Sequence, residues 1–124
     1  MARILVADDH AGLRDVLVET LTSCGHEVKG VATGDAARDA LESSDFELLV
    51  TDLRMPGLDG LALLQHLRDR DQQVATIVMT AHGTVETAVQ AMHLGALDYV
   101  EKPFPLAAME AKVQKALEKL SLQQ

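Results

Sequence analysis

Apolar residues along this chain fall into two patterns that alternate from one end to the other. Short runs rich in Val, Ile and Leu, which are typical of strands, cover Arg3–Ala7, Glu27–Val31, Leu48–Thr51, Ala75–Met79 and Asp98–Val100. A longer segment follows each run, with apolar residues spaced three or four apart, as on one face of a helix. Strands that alternate with helices are typical of βα units around a parallel sheet. The pattern therefore predicts an α/β fold of the (βα)5 type.

Each predicted helix carries one apolar stripe. The stripes are Leu13, Val16, Leu17 and Leu21; Ala40 and Leu41; Leu61, Leu64 and Leu67; Val85, Ala88, Val89 and Met92; and Met109, Val113, Ala116, Leu117 and Leu120. Thr84 is expected to cap the fourth helix, and Pro105 to lead into the fifth. Four residues of the last stripe, Met109, Val113, Ala116 and Leu120, are spaced four, three and four apart, which also matches a coiled-coil seam. Two interpretations stay open for that helix: the stripe packs on the sheet, or it contacts a second copy.

The order of the strands follows from which runs are apolar throughout. The first, third and fourth runs are continuously apolar, as in strands that are buried on both faces at the centre of a sheet. The second and fifth runs contain polar residues such as Lys29 and Glu101, as edge strands do. This pattern predicts a doubly wound, flavodoxin-like sheet of order 2-1-3-4-5. In such a sheet the ligand crevice lies at the carboxyl ends of strands one and three.

Composition narrows the range of partners. A chain of 124 residues has the length of a single domain, and its 11 basic and 19 acidic residues give a net charge of −8. This charge argues against holding nucleic acid or an anionic membrane by electrostatics. The aromatic residues Phe46, Tyr99 and Phe104 are too few for a base-stacking surface, and the single Cys24 excludes a disulfide framework. No apolar run approaches the ~20 residues of a membrane span, so we expect a cytoplasmic protein.

Polar residues stand where four of the predicted strands end. Asp8 and Asp9 follow the first strand, Asp52 the third, Thr80 the fourth and Lys102 the fifth. Three carboxylates on adjacent strands repel one another unless a cation joins them, and Mg²⁺ is the hard divalent ion that best fits oxygen ligands of this kind. Such a cluster permits attack by a carboxylate on a phosphoryl group. Asp52 is the best candidate nucleophile because its strand is central.

Each of these residues has an ordinary interpretation when it is taken alone. Asp8 and Asp9 also suit the cap and first turn of a helix, and Asp52 suits a turn. Thr80 suits a capping hydroxyl, and Lys102 suits the surface. The functional interpretation depends on the combination, because separate strand ends would otherwise have to converge by chance.

Two other classes of protein share parts of this pattern. A magnesium-dependent phosphatase with an aspartyl nucleophile would carry Asp-x-Asp on its first strand and a cap domain. A flavin- or nucleotide-binding module would need a Gly/Ser/Thr-rich phosphate loop after the first strand, where Asp8 and Asp9 would repel a phosphate instead. Neither class fits as well as a phosphoacceptor.

Four blocks carry a resemblance that spans essentially the whole chain. They are Val6–Asp9, Thr51–Gly60, Val78–Ala81 and Asp98–Phe104. In this order they resemble the receiver domain of bacterial two-component response regulators. The resemblance implies a phosphorylation-activated switch rather than an enzyme, with a sensor histidine kinase as its partner and Mg²⁺ as its cofactor.

The resemblance also implies roles for the residues around the expected phosphoacceptor, Asp52. Asp8 and Asp9 match the acidic magnesium site, and the backbone carbonyl of Arg54 matches the remaining protein ligand. The side chains of Arg54 and His82 match positions that tune the lifetime of the acyl phosphate. Metal binding by Asp8 is expected to be direct or through water.

A second group of residues matches the switch. Thr80 matches the hydroxyl that turns toward the phosphoryl group, and Ala81 begins the loop that shifts with it. Tyr99 matches the aromatic residue that then rotates inward. Lys102 matches the lysine that pairs with the phosphate, and its peptide bond to Pro103 matches one that is cis in the family.

Two further blocks, Met79–Val89 and Gly95–Tyr99, resemble receivers of the nitrogen-regulator class, although His10 departs from the acidic or small residue expected there. Full-length proteins of that class carry effector domains, so we expect a longer parent protein that regulates transcription. Residues 1–120 would form the receiver, and residues 121–124 a tail that begins a linker helix. The expected output is a homodimer through the fourth helix, fifth strand and fifth helix. A stand-alone regulator that acts by protein–protein contact is the alternative.

Overall fold

The computed structural model describes residues 2–81 and 85–123 and confirms the predicted alternation of strands and helices. The elements are β1 (Arg3–Ala7), α1 (Ala11–Ser23), β2 (Glu27–Val31), α2 (Gly34–Ser43), β3 (Leu48–Asp52), α3 (Gly60–Asp69), β4 (Ala75–Ala81), α4 (Val85–His93), β5 (Asp98–Lys102) and α5 (Leu106–Gln123). Strands β3, β4 and β5 extend one or two residues beyond their apolar runs, because the residues that follow continue the hydrogen-bonded ladders. The expected cap Thr84 and the predicted site residue His82 lie outside the described residues.

All the strands pair in parallel in the predicted order, β2-β1-β3-β4-β5. Ala7 lies opposite Thr51, and Asp52 lies opposite Met79. This register brings the carboxyl ends of the strands to one edge of the sheet. The residues after the apolar runs therefore meet there, as the sequence predicts.

Helices cover both faces of the sheet. On one face, α1 and α5 contribute Leu17, Leu21, Met109 and Val113 to the main core, and on the other face α2 and α3 contribute Leu41 and Leu63. Removal of these side chains from water supplies most of the driving force for folding. Among the described residues, the helices are too short or too polar to cross a membrane.

The helical stripes are correct in part. Val16 of α1 and Val89 and Met92 of α4 were expected in the core, but 41%, 48% and 41% of their surfaces are exposed. These two helices bury a narrower strip than their apolar residues span. Ala91, which the stripe did not include, is fully buried in α4.

The burial of α5 decides whether its apolar stripe packs on the sheet or contacts a second copy. Met109, Val113 and Ala116 are almost fully buried against the sheet in the main core. They are therefore core residues, and the interpretation that they form a seam toward a second copy is wrong. Only the half-buried Leu120 of that seam retains a partly open surface.

A close contact between α2 and the loop after β3 makes Gly34 difficult to replace. A β-carbon on Gly34 would lie 1.6 Å from the backbone oxygen of Leu58. We expect Gly34→Ala to lower the free energy of unfolding by about 1–3 kcal/mol, because the loop must move to relieve the overlap. Chemical denaturation measures this loss. Gly12→Ala is the control, since Gly12 lies in α1 with nothing within 4 Å, and it should gain up to about 1 kcal/mol. Equal stability of the two variants would contradict the prediction.

Candidate functional site

A cavity of about 280 Å³ opens at the carboxyl edge of the sheet. Its lining residues are Asp9, His10, Asp52, Leu53, Arg54, Thr80, Ala81, Thr87 and Lys102. This position is the crevice that the strand order predicts. Residues from β3, β4, β5 and the segment after β1 therefore meet at one place.

Lys102 joins two of the carboxylates. Its Nζ atom donates a hydrogen bond of 2.9 Å to Asp8 Oδ2 and one of 2.7 Å to Asp52 Oδ2. Asp8 is completely buried, and Asp52 is 7% exposed. A buried carboxylate is stable only when a partner compensates its lost hydration, and the Lys102 ammonium supplies that compensation for both acids.

Asp8 is held as a carboxylate. Burial by itself raises its pKa, but hydrogen bonds from the His10 amide and from Lys102 outweigh burial and hold the pKa below its ordinary value of 3.8. The His10 amide bond to Asp8 Oδ1 measures 2.9 Å, and Arg14 Nη1 donates to the Asp8 backbone oxygen at 2.9 Å. These contacts fix Asp8 at the start of α1.

Lys102 is held as an ammonium. Burial by itself lowers its pKa, but the hydrogen bonds to Asp52 and Asp8 outweigh this effect and raise the pKa above its ordinary value of 10.5. The cavity therefore contains a fixed positive charge beside negative ones at neutral pH.

These two shifts predict how stability depends on pH without divalent ions. Because the pKa of Asp8 is lowered on folding, its stabilising contribution is complete above pH 3.8 and is lost as the pH falls through the lower folded value. The contribution of Lys102, whose pKa is raised, is complete below pH 10.5 and is lost as the pH rises through the higher folded value. Denaturation of the wild type and Asp8→Asn at a series of acidic pH values should show a shallower acid limb in the variant. An unchanged limb would contradict the prediction, and the exposed Asp15→Asn is the control.

The loop after β3 folds back over Asp52. The Arg54 amide donates to Asp52 Oδ1 at 3.1 Å, and the Leu53 amide donates to the Met79 carbonyl at 3.1 Å. The Gly60 amide donates to the Leu53 carbonyl at 3.0 Å, which closes the loop onto the start of α3. Both Asp52 oxygens thus have donors, Oδ1 from the backbone and Oδ2 from Lys102.

The predicted switch residues do not all lie in the cavity. Thr80, 2% exposed, and the exposed Ala81 line it at the end of β4. Tyr99 lies on the outside of β5 with 41% of its surface exposed, and Lys112 Nζ lies 6.0 Å from its ring centre. The peptide bond between Lys102 and Pro103 is cis.

Three residues that line the cavity, His10, Leu53 and Thr87, were not predicted as parts of the site, and two of them are polar. His10 Nδ1 lies 3.1 Å from Asp8 Oδ1 and 3.3 Å from Asp9 Oδ1. Its place directly after two acids, at the start of a helix, was the available signal. Thr87 reaches the cavity from α4, and nothing in the sequence indicates this approach, because it depends on how α4 packs.

Four residues at this edge form a donor set that could hold a metal ion. One ligand atom from each of Asp8, Asp9, His10 and Asp52 lies within 4.8 Å of the others. Carboxylate oxygens predominate, and they are the ligands that Mg²⁺ prefers. The residues present therefore fit a divalent cation.

The fold and this site define a class of protein. Residues 4–114 match the sequence model of the response regulator receiver domain, so the chain belongs to that family. A receiver is a phosphoacceptor signalling domain rather than an enzyme in the usual sense, and receivers typically use Mg²⁺, as the resemblance implies.

The similar proteins are transcriptional regulators. The C4-dicarboxylate transport transcriptional regulatory protein DctD of Pseudomonas aeruginosa is 44% identical over 94% of this chain and 25% of its own length. The DNA-binding transcriptional regulator NtrC of Klebsiella pneumoniae is 38% identical over 96% of this chain and 25% of its own length. The crystal structure of NtrX from Brucella abortus superposes with a TM-score of 0.92 at 35% identity, over 98% of this chain and 28% of that one.

These relatives confirm the similarity to the nitrogen-regulator class and define the chain more closely as a receiver of the NtrC, DctD and NtrX type. The chain spans about a quarter of the length of these two curated relatives.

Proposed function

We propose that this domain accepts a phosphoryl group on Asp52 from a sensor histidine kinase and thereby switches its surface between two states. The observation that carries the proposal is the convergence of Asp8, Asp9 and Asp52 with Lys102 in one cavity. Asp8, Asp9, Asp52 and the backbone carbonyl of Arg54 would hold Mg²⁺.

The contacts of Asp52 suit an attacking carboxylate. An oxygen of Asp52 forms a bond to phosphorus while the bond from phosphorus to the donor's imidazole nitrogen breaks, and the electron pair leaves with that nitrogen. Lys102 and the Arg54 amide already donate to the two Asp52 oxygens, so the carboxylate is oriented before the donor arrives. Mg²⁺ held by these residues would supply positive charge to the phosphoryl oxygens.

The switch would follow from the added charge. The phosphoryl group offers new acceptor oxygens, and we propose that the Thr80 hydroxyl and Lys102 turn to them while Ala81 shifts. Tyr99 would then move inward from its exposed position on β5. The phosphoryl group shifts the equilibrium because these contacts exist in one state only.

The lifetime of the acyl phosphate would depend on two flanking side chains. Arg54 is exposed at the rim of the cavity, where it affects the approach of water to Asp52. His82, which lies outside the described residues, is proposed for the same role from the resemblance alone.

Intact mass tests the phosphorylation directly. The chain incubated with Mg²⁺ and a small phosphodonor should gain one phosphoryl group, and removal of Mg²⁺ by a chelator should prevent the gain. A chain that gains none with Mg²⁺ present would refute the proposal.

We propose that the output is a homodimer through α4, β5 and α5. Val89 and Met92 of α4 and Tyr99 of β5 are large apolar residues with 48%, 41% and 41% of their surfaces exposed. Exposed apolar surface that is contiguous often marks protein contacts on soluble domains.

Sedimentation velocity tests the dimer. Wild type treated with Mg²⁺ and beryllofluoride, a phosphoryl mimic, should shift from monomer to dimer, and Val89→Asp should remain monomeric because it places a charge in the contact. Val16→Asp is the matched control, since Val16 is a similarly exposed valine on α1, and it should still shift. A wild type that stays monomeric in both states would contradict this output.

The domain would act within a longer cytoplasmic protein. The relatives with names of transcriptional regulators support an effector domain elsewhere in the parent chain, with nucleic acid bound there rather than here. A stand-alone regulator that acts by protein–protein contact is the second candidate.

A further inference from the structure

We propose that the imidazole of His10 is an additional ligand of the divalent cation and shifts the metal preference of the site from Mg²⁺ toward late first-row ions such as Co²⁺. This inference rests on the metal site of the proposed function. His10 stands where an acidic or small residue is expected in the nitrogen-regulator class. Its imidazole would therefore add a nitrogen ligand to a site made of oxygen ligands.

The position of the nitrogen fits a ligand. His10 Nδ1 lies 3.1 Å from Asp8 Oδ1 and 3.3 Å from Asp9 Oδ1. Neighbouring ligands of a six-coordinate ion with bonds of about 2.1 Å lie about 3 Å apart. The nitrogen and the two oxygens therefore have the spacing of adjacent ligands around one ion.

The ring of His10 is exposed, and its Nδ1 shares a hydrogen bond with Asp8 Oδ1 that a bound ion would replace. His10 precedes α1 at the N-cap position, with extended backbone and no side-chain hydrogen bond to the helix. Its side chain is 72% exposed, whereas the Asp8 side chain beside it is fully buried. The ring can therefore adjust to an ion without disturbing packing, while Asp8 stays fixed.

The chemistry of imidazole gives the expected preference. Carboxylate oxygens suit Mg²⁺, whereas an imidazole nitrogen suits ions later in the first transition row. A nitrogen ligand therefore adds more to the affinity for Co²⁺ than for Mg²⁺, because Mg²⁺ accepts water at that position almost equally well.

A second role for His10 makes the opposite prediction. If the ring serves only as a cationic partner of Asp8 and Asp9, it competes with the metal for their oxygens. Replacing it would then raise the affinity for both ions. The sign of the change distinguishes a ligand from a competitor.

The experiment measures Co²⁺ and Mg²⁺ binding by calorimetry in wild type, His10→Asn and His93→Asn. His93 is an exposed histidine at the last residue of α4 and controls for nonspecific imidazole binding. We expect His10→Asn to lose about tenfold or more in Co²⁺ affinity and less than about twofold in Mg²⁺ affinity. His93→Asn should match wild type.

Proton NMR of the Co²⁺ form distinguishes a His10 that binds the ion from a His10 that only stabilises the local structure. A hyperfine-shifted, non-exchangeable imidazole C–H signal should appear in wild type and His93→Asn and be absent from His10→Asn. Absence of this signal from wild type, or a gain in affinity for both ions in His10→Asn, would overturn the inference while leaving the metal site of the proposed function intact. A wild type that binds neither ion would overturn both.

Discussion

Asp52→Asn should remove phosphorylation completely, from one phosphoryl group per chain to none by intact mass with Mg²⁺ and a small phosphodonor. The amide has no carboxylate oxygen to attack phosphorus, although it has nearly the same shape. Its oxygen can still accept the hydrogen bond from the Arg54 amide or Lys102, so the loop after β3 should keep its conformation.

Asp59→Asn is the matched control for this variant. Asp59 lies in the same loop and accepts from the Ala62 amide at 2.8 Å as the N-cap of α3, a role that asparagine also performs. It is absent from the lining of the cavity. Asp59→Asn should therefore gain one phosphoryl group, like wild type. Equal labelling of Asp52→Asn and wild type would show that the acceptor is another residue.

Lys102→Met should lower the free energy of unfolding by about 3 kcal/mol without divalent ions, because removal of one partner of a buried ion pair leaves an uncompensated charge. Two carboxylates, Asp8 and Asp52, would lose the same donor. Chemical denaturation at neutral pH measures the loss. Saturating Mg²⁺ should restore more stability to this variant than to wild type, since a cation that binds only the folded chain replaces part of the missing charge.

Lys112→Met is the comparison for this loss. Lys112 pairs with Asp98 at 3.0 Å, but both side chains are about one-third exposed, so the change should cost less than about 1 kcal/mol. If the two methionine variants were equally stable, the pairing of Lys102 with Asp8 and Asp52 would not stabilise the fold.

The strands and the site were predictable because both follow from local order in the sequence. A parallel sheet places the carboxyl ends of its strands at one edge. Residues that follow the apolar runs, such as Asp52 and Lys102, therefore converge there whatever the conformation of the loops. The helices were less predictable, because the strip that contacts the sheet depends on how each helix is rotated. Val16 and Met92 have apolar side chains with helical spacing, yet lie outside that strip.

The features of the site that the sequence did not predict depend on how individual side chains pack in the folded chain. Thr87 enters the cavity through the packing of α4, and its position in the sequence carries no signal of this. His10 directly follows Asp8 and Asp9 in the sequence, but the approach of its Nδ1 to both carboxylates depends on the turn into α1. The family resemblance predicts the role of Tyr99 in the switch, but it does not predict that the side chain is exposed in this structure.

The contacts of Lys102 also constrain how the chain reaches its native state. They link residues 94 and 50 positions apart, from the last strand to the ends of the first and third strands. Contacts between such distant residues require large loops to close, so they form late in folding. A chain whose last strand has not yet docked keeps its aspartates but lacks their common partner. The complete cluster therefore requires that β1, β3, β4 and β5 have assembled, and chemistry that needs all of its members is restricted to chains in which these strands are paired.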